Sequence, residues 1–385
     1  MNAEKHDTEM IKDTKFNYAL NVIARWFVGL VFLFSSFVKG VDPMGTTFKI
    51  QEYMTAWSIG SFTFEWAQPF AGVLSVGLIC LEFLVGVLLI TNSYRRLSAW
   101  LLALMMLFFT VTTLIDALTN KVTDCGCFGD AVKLTNWQTF WKNVVLDVPT
   151  VWIFLTQKLR YKRLFERDGI IFLSALAVML VFALYNIKHE PVIDFRPWKV
   201  GNQMMDLDAD QQPKSYLTYR NTATGETMEF ESAKLMEYME DPQWAEQWEW
   251  EASRVESPYD IKAPGFSMID LDGEDRAADL IPAEDGLIIV TIHHLADVKE
   301  KSVRDIRFAL RQAEDSDTRI VLLTSALPEE IQAWLHDNDI EGLDYLFADA
   351  TAIETMMRGN PGFMYVKDAV VVDKGRRLND LNIEI

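Results

Sequence analysis

The hydrophobic pattern of the chain changes character near residue 185. Before that point apolar residues run in long stretches; after it they come in short runs broken by acidic, Gly and Pro residues. Five early stretches are long and apolar enough to cross a hydrocarbon layer of about 30 Å, which takes roughly 20 helical residues. They lie at about 17–38, 68–91, 97–118, 140–159 and 169–185. The last is short but carries no charge between Ile170 and Tyr185. A charged, polar flank precedes the first, and no small-residue cleavage pattern follows it, so it reads as a retained helix.

The second half has a different period. Residues 186–210, with Pro191, Pro197 and Gly201, read as an exit linker lying on the membrane surface. Strands at 215–219 and 227–230 flank a hairpin signal at Asn221 to Gly225. An acidic helix is expected over 232–253, with Trp244 and Trp248 on one face, packing against the neighbouring domain. Pro264 to Gly273 reads as a strand ending in an Asp-Gly turn. Strands and helices then alternate: strands at 287–292, 319–324 and 345–348, helices at 299–313, 328–336 and 351–357, and a closing hairpin of 363–366 with 370–373.

Charge divides the chain at the same place. Residues 1–185 carry 16 basic and 14 acidic side chains, whereas residues 186–385 carry 20 and 41. The overall net charge of -19 argues against nucleic acid as a partner. Lys158, Arg160, Lys162, Arg163 and Arg167 crowd one short connection, and basic residues accumulate on the cytoplasmic side of membranes. Alternating from that loop places Arg95, Arg96 and the N-terminal tail inside as well. The expected arrangement is a cytoplasmic tail (1–16), five crossings of an inner membrane, and the acidic half in a periplasm-like space.

The three cysteines are Cys80, Cys125 and Cys127. Three thiols exclude a disulfide-rich scaffold and a four-cysteine zinc site built from one chain. Asp124-Cys125-Gly126-Cys127-Phe128-Gly129-Asp130 falls on an outward loop between the third and fourth spans. A Cys-Gly-Cys spacing brings two sulfurs within reach, and glycine relieves the crowding of the small ring. A strained, exposed bridge exchanges readily with other thiols, and the outer compartment permits that chemistry. A structural clip, and a pair of metal ligands helped by Asp124 and Asp130, are the alternatives. Cys80, inside the second span, reads as a small buried hydrophobe.

Ionisable and amide groups inside spans are costly and are usually paired or functional. Arg25 and Glu82, counted from the inner ends of their helices, fall at similar depth and are expected to pair. Asp116, Asn143 and Asp147 lie toward the outer ends of their helices, near the cysteine loop. Interhelical hydrogen bonding and a proton or quinone role both fit such residues.

Residues Asp124 to Asp130 on the outer loop of a four-helix membrane unit resemble the MauE-like branch of the DoxX superfamily. Phe34 to Gly45, with its Lys39 and Asp42-Pro43 turn after an arginine-bearing helix, and Glu82 fit the same pattern. The resemblance covers about residues 16–160 and implies a redox-associated membrane protein. MauE is linked to disulfide formation during maturation of a periplasmic amine dehydrogenase, and DoxX to a quinone-reducing oxidase. Residues 259–385 resemble a membrane-anchored thioredoxin-like domain. That likeness places Asn360-Pro361-Gly362-Phe363 where the family has its cis-proline before an edge strand. Where a catalytic member carries Cys-x-x-Cys, this sequence has His293-His294-Leu295-Ala296, so the domain is expected to bind a partner and not to exchange thiols itself. Neighbouring histidines on extended chain point opposite ways, which disfavours a metal site there.

The fold class expected is therefore an α-helical membrane bundle (17–160, plus a fifth helix at 169–185), a linker and small α+β subdomain (186–258), and an α/β thioredoxin-like domain (259–385). The expected function is thiol–disulfide exchange through Cys125 and Cys127 with a periplasmic protein thiol or client docked near Asn360, Pro361 and Gly362. Quinone is the candidate electron acceptor, and membrane lipid surrounds the bundle. The rival reading is a non-enzymatic scaffold whose loop disulfide is structural.

Overall fold

The computed structural model describes residues 15–59, 62–122, 126–156, 165–205, 214–222, 224–231, 235, 238, 244, 247–256, 261–263, 266–314 and 318–381. The chain divides into two compact units, Met1–Phe195 and Arg196–Ile385.

The first unit is helical: α1 (Lys15–Val41), α2 (Pro43–Ala56), a two-residue-strand hairpin β1 (Ser58–Ile59) and β2 (Phe62–Thr63), a 3-10 turn Glu65–Phe70, then α3 (Ala71–Thr91), α4 (Arg95–Thr119), α5 (Asn136–Thr156) and α6 (Phe165–Lys188). Asp42 breaks α1 from α2: its carboxylate accepts from the Gly45 N–H at 3.0 Å, and Pro43 opens the new helix. The α3 to α4 turn is made by two residues in the left-handed region, Asn92 (φ 57°) and Tyr94 (φ 42°). Helices α1 and α3 approach closely where Gly29 faces Gly86. A Cβ on Gly86 would lie 3.0 Å from the Gly29 carbonyl, and one on Gly29 would lie 2.8 Å from Ile90. Small residues at such a crossing let backbones approach, the usual device where lipid replaces water.

Four described helices are long and apolar enough to span a membrane: Asn17–Val41, Trp66–Thr91, Arg95–Thr119 and Glu166–Lys188. The stretch expected at 140–159 falls in α5, which is not among them: Lys142, Asp147 and Pro149 interrupt it. The segment between the first two predicted spans also holds a helix, α2, that the hydropathy pattern did not reveal. Outward faces are apolar, as on α4, where Leu104, Leu107, Phe108 and Val111 are exposed.

In the second unit the small sheet has the order β4-β3-β5, from β3 (Lys214–Asn221), β4 (Thr227–Glu231) and β5 (Trp248–Glu256). β5 corrects the expected helix over 232–253, whose last residues pair antiparallel with β3. Trp244 and Trp248 do stack, with ring centroids 6.0 Å apart, but they pack on Phe230 and Tyr219 of this subdomain.

The main sheet runs β10-β9-β6-β7-β8, from β6 (Leu287–Ile292), β7 (Arg319–Thr324), β8 (Asp344–Phe347), β9 (Gly362–Lys367) and β10 (Val370–Gly375). β6, β7 and β8 are parallel, and β9 is antiparallel to both β6 and β10. The short helix α7 (Ala277–Leu280) precedes β6, and helices α8 (Glu300–Glu314), α9 (Pro328–Asp337) and α10 (Ala350–Met356) connect β6 to β7, β7 to β8 and β8 to β9. Every residue of β6 is buried, as a central strand covered on both faces requires. Leu287 and Ile289 enter one core, with Trp198 and Met364; Ile288, Val290 and Ile292 enter the other, with Phe363 and Ile331.

Three expectations change here. Residues 196–205 are not a surface linker, because Trp198 is 1% exposed in the sheet's core and the Gly201 N–H reaches the Val371 carbonyl at 2.7 Å. The strand expected from Pro264 reduces to bridges from Ile269, and the turn at Gly273 (φ 86°) is present; Pro264 and Gly265 lie outside the described residues. The Asn360–Pro361 bond is cis, but β9 after it is an interior strand and not an edge.

Candidate functional site

The loop between α4 and α5 is shaped by two glycines in the left-handed region, Gly126 (φ 61°) and Gly129 (φ 51°), with the Gly129 N–H bonded to the Gly126 carbonyl at 3.0 Å. A Cβ on Gly129 would lie 3.2 Å from Val38, so the loop sits closely on the end of α1. Phe128 tilts against Phe34 with centroids 5.4 Å apart, and the Lys142 ammonium lies over the Phe128 ring, 4.5 Å from its centroid. Asp130 lies 4.0 Å from the Lys133 ammonium. Thr123, Asp124 and Cys125 lie outside the described residues, so the expected Cys125–Cys127 pairing and the part of Asp124 rest on the sequence.

Beneath the loop is a buried polar centre. Lys39 Nζ lies 2.6 Å from Glu82 Oε1, and the two side chains are 7% and 2% exposed. The Ser35 hydroxyl is 3.0 Å from Glu82 Oε2 and 2.8 Å from the carbonyl oxygen of Cys127. One hydroxyl proton serves two acceptors, so Ser35 couples the backbone of Cys127 to the ion pair. Removing it by Ser35→Ala is expected to loosen the loop by about 1 kcal/mol. The check is the alkylation rate of Cys127 after reduction, which should rise roughly fivefold; an unchanged rate would remove Ser35 from the account.

Arg25 does not pair with Glu82. The contacts of Gly29 with Gly86 and Ile90, and of Ser35 with Glu82, set the α1 to α3 register. Arg25 lies ten residues before Ser35, which is about 15 Å along the helix. It meets the far end of α3, beside Asn92. Depth counted from a helix end misplaced it because α1 begins well before α3 stops.

Asp116, Asn143 and Asp147 each find a partner within the bundle. Tyr53 Oη of α2 donates to Asp116 Oδ2 at 2.6 Å. Asn143 Nδ2 donates to Thr113 Oγ1 at 3.1 Å, and Thr110 Oγ1 to Asp147 Oδ2 at 2.9 Å. Asn136, which the sequence did not single out, holds the base of the loop by donating to the Val122 carbonyl at 2.9 Å. Its signal was a polar residue opening a helix. Cys80 packs among Ile79, Met179 and Phe182, with no described loop residue in that cluster.

In the second unit the chain after β6 turns back on the residues before β9. His293 is buried, and its Nε2 lies 3.1 Å from the Gly359 carbonyl, which makes that nitrogen the donor. Asn360 Oδ1 accepts from the His293 N–H at 3.0 Å while its Nδ2 donates to the His294 carbonyl at 2.8 Å. Burial holds the His293 imidazole down at about 4. His294 is exposed, so the neighbouring histidines point apart as expected. Among the described residues no three His, Cys, Asp or Glu side chains are grouped to hold a metal ion. Asn360, Pro361 and Gly362 thus close the gap between β6 and β9. Gly362 is required there, since a Cβ would lie 2.8 Å from Thr291 Oγ1 and from Met357.

These features define a multi-pass membrane protein with a second, sheet-containing unit. Residues 17–156 match the family model described as Methylamine utilisation protein MauE, which makes this part of the chain a MauE-like membrane domain. No curated protein matches the chain significantly, and no solved structure does.

Proposed function

We propose that the chain is a redox-associated inner-membrane protein of the MauE and DoxX type, in which the Cys125-Gly126-Cys127 loop exchanges a disulfide with an envelope protein. The observation that carries this reading is the Ser35 link, which ties the backbone of Cys127 to the buried Lys39–Glu82 pair. A loop that only closed a turn would not need an ion pair beneath it, given the cost of burying two charges. In the exchange a partner thiolate attacks one sulfur of the Cys125–Cys127 bridge and forms a mixed disulfide. The partner's second thiolate then resolves it. Two electrons and two protons pass to the loop, which ends as a dithiol, while the partner ends as a disulfide. Positive φ at Gly126 supports a chain able to bring the two sulfurs together.

The crossings follow the same reading. Helix α5 completes the bundle because Trp141, Val145, Val148, Val151 and Leu155 form an exposed apolar stripe at helical spacing. With α6 this gives five crossings, a cytoplasmic N-terminus and a periplasmic second unit, consistent with basic residues at the α3 to α4 turn and at 158–167. The second unit is thioredoxin-like: β6, α8 and β7 form a parallel unit, and the β9 to β10 hairpin is antiparallel beside β6. It contains no cysteine. We assign it the holding of the partner, by the surface that carries His294 and Asn360.

Trapping thiols in intact cells with a mass-tagging alkylator tests the exchange. The pair is expected to be oxidised, to recover within minutes of a reductant pulse, and to yield a mixed disulfide in Cys125→Ser or Cys127→Ser. A pair that stays oxidised through the pulse and traps nothing would leave the scaffold reading in its place.

A further inference from the structure

The end of the bundle where α3 turns into α4 holds a second polar site that the cysteine chemistry does not use. Asn21, Arg25, Asn92, Arg95 and Ser98 line a small cleft that opens to the surface. Arg25 is 7% exposed, and neither its Nε nor its Nη1 meets a hydrogen-bond partner. The Asn92 amide oxygen is also buried there without one, and turning that amide over would present its NH2 to the cleft. Among the described residues the lining contains two guanidinium groups and no carboxylate. A buried guanidinium with open donors is costly, and a second cation on the same cleft raises the cost. An anion between them reverses both effects.

We propose that this cleft binds a phosphate-class anion, with the Arg25 guanidinium as its floor and Arg95 at its rim. The planar guanidinium fork matches two phosphate oxygens, while the Asn21 amide and the Ser98 hydroxyl beside it donate to Thr156 Oγ1 and the Arg95 carbonyl. Two sources share this chemistry: the headgroup of an anionic phospholipid, and a free phosphate in solution.

The test uses the purified full chain in detergent, with native mass spectrometry and thermal unfolding as readouts. Phosphatidylglycerol, phosphatidylcholine and inorganic phosphate are added separately. The expected result is that phosphatidylglycerol is retained over phosphatidylcholine and that Arg25→Gln weakens it about tenfold, the effect of losing a charge-assisted contact. Arg96→Gln, at an exposed neighbouring position, should leave binding unchanged. If inorganic phosphate alone raises the unfolding temperature in an Arg25-dependent way, and phosphatidylglycerol binds no better than phosphatidylcholine, the site stands with a soluble anion as its ligand. Should Arg25→Gln fail to fold, Arg95→Gln reads the same loss from the rim. Retention of anionic lipid and phosphate that is equal in the native chain and in the Arg25 or Arg95 variant, or absent from all, overturns the proposal.

Discussion

Replacing Glu82 by leucine is expected to destabilise the membrane unit by about 3 to 5 kcal/mol, the range for breaking a buried ion pair from one side. Lys39 is left with its ammonium in a site where only 7% of its side chain reaches solvent. Ser35 loses the acceptor that fixes it from α3 and keeps its single proton for the Cys127 carbonyl, so the loop is loosened through the weakened α1 to α3 contact and not through that bond. The expected readout is a collapse in the amount of monodisperse protein recovered in detergent, with faster alkylation of Cys127 in what remains. The double variant Lys39→Met, Glu82→Leu should recover most of the protein, because two apolar groups of similar size replace the pair without a stranded charge. It should also recover the slow alkylation, because Ser35 still donates to the Cys127 carbonyl there. A single Glu82→Leu variant as abundant as the native chain would show that the pair does not hold the loop.

How far the sequence reveals this architecture depends on the kind of signal each element carries. The strands at 287–292 and 319–324 match β6 and β7 at both ends, since a fully buried strand shows as an apolar run bounded by polar residues. Helix α2 gives no such run: Pro43–Ala56 mixes Lys49, Gln51 and Glu52 with Phe48 and Met54. The usable signal was local, an Asp42 cap followed by Pro43. β5 was obscured by a coincidence of spacing. Trp244 and Trp248 suggest one helical turn, but Trp248-Glu249-Trp250-Glu251 alternates with the period of a strand. Site residues divide in the same way. Cys127, Glu82 and Lys39 were visible as residue types in an apolar or loop context. The pairing of Lys39 with Glu82 was not, because it depends on the α1 to α3 register set by Gly29 and Gly86.

The stability of the second unit is expected to be nearly flat between about pH 4.5 and 6.5, and two substitutions should tilt it in opposite directions. His293 is held at about 4 by burial, against an ordinary value of 6.5. The unfolded chain therefore binds the proton first, and stability falls as pH drops from 6.5 through 4. Glu354 is raised from 4.5 to about 7, chiefly by burial and also by Asp349, against the pull of Arg358. Its protonated form is the one the fold favours, so its contribution is lost as pH rises from 4.5 through 7. Each full shift is equivalent to about 3 kcal/mol, and solvent around the half-buried Glu354 trims its share. Glu354→Gln should leave the histidine acting alone, giving a unit that loses stability steeply on acidification below pH 6.5. His293→Gln should leave the carboxyl alone, giving one that gains stability over the same range. Hydrogen exchange of the β6 and β9 amides in the full-length chain, corrected for intrinsic rates, reads both slopes. Parallel slopes in the two variants would mean that these groups do not set the pH response. Opposite slopes would place His293 and Glu354 as the counterweights behind the closure that Asn360 makes over the end of β6.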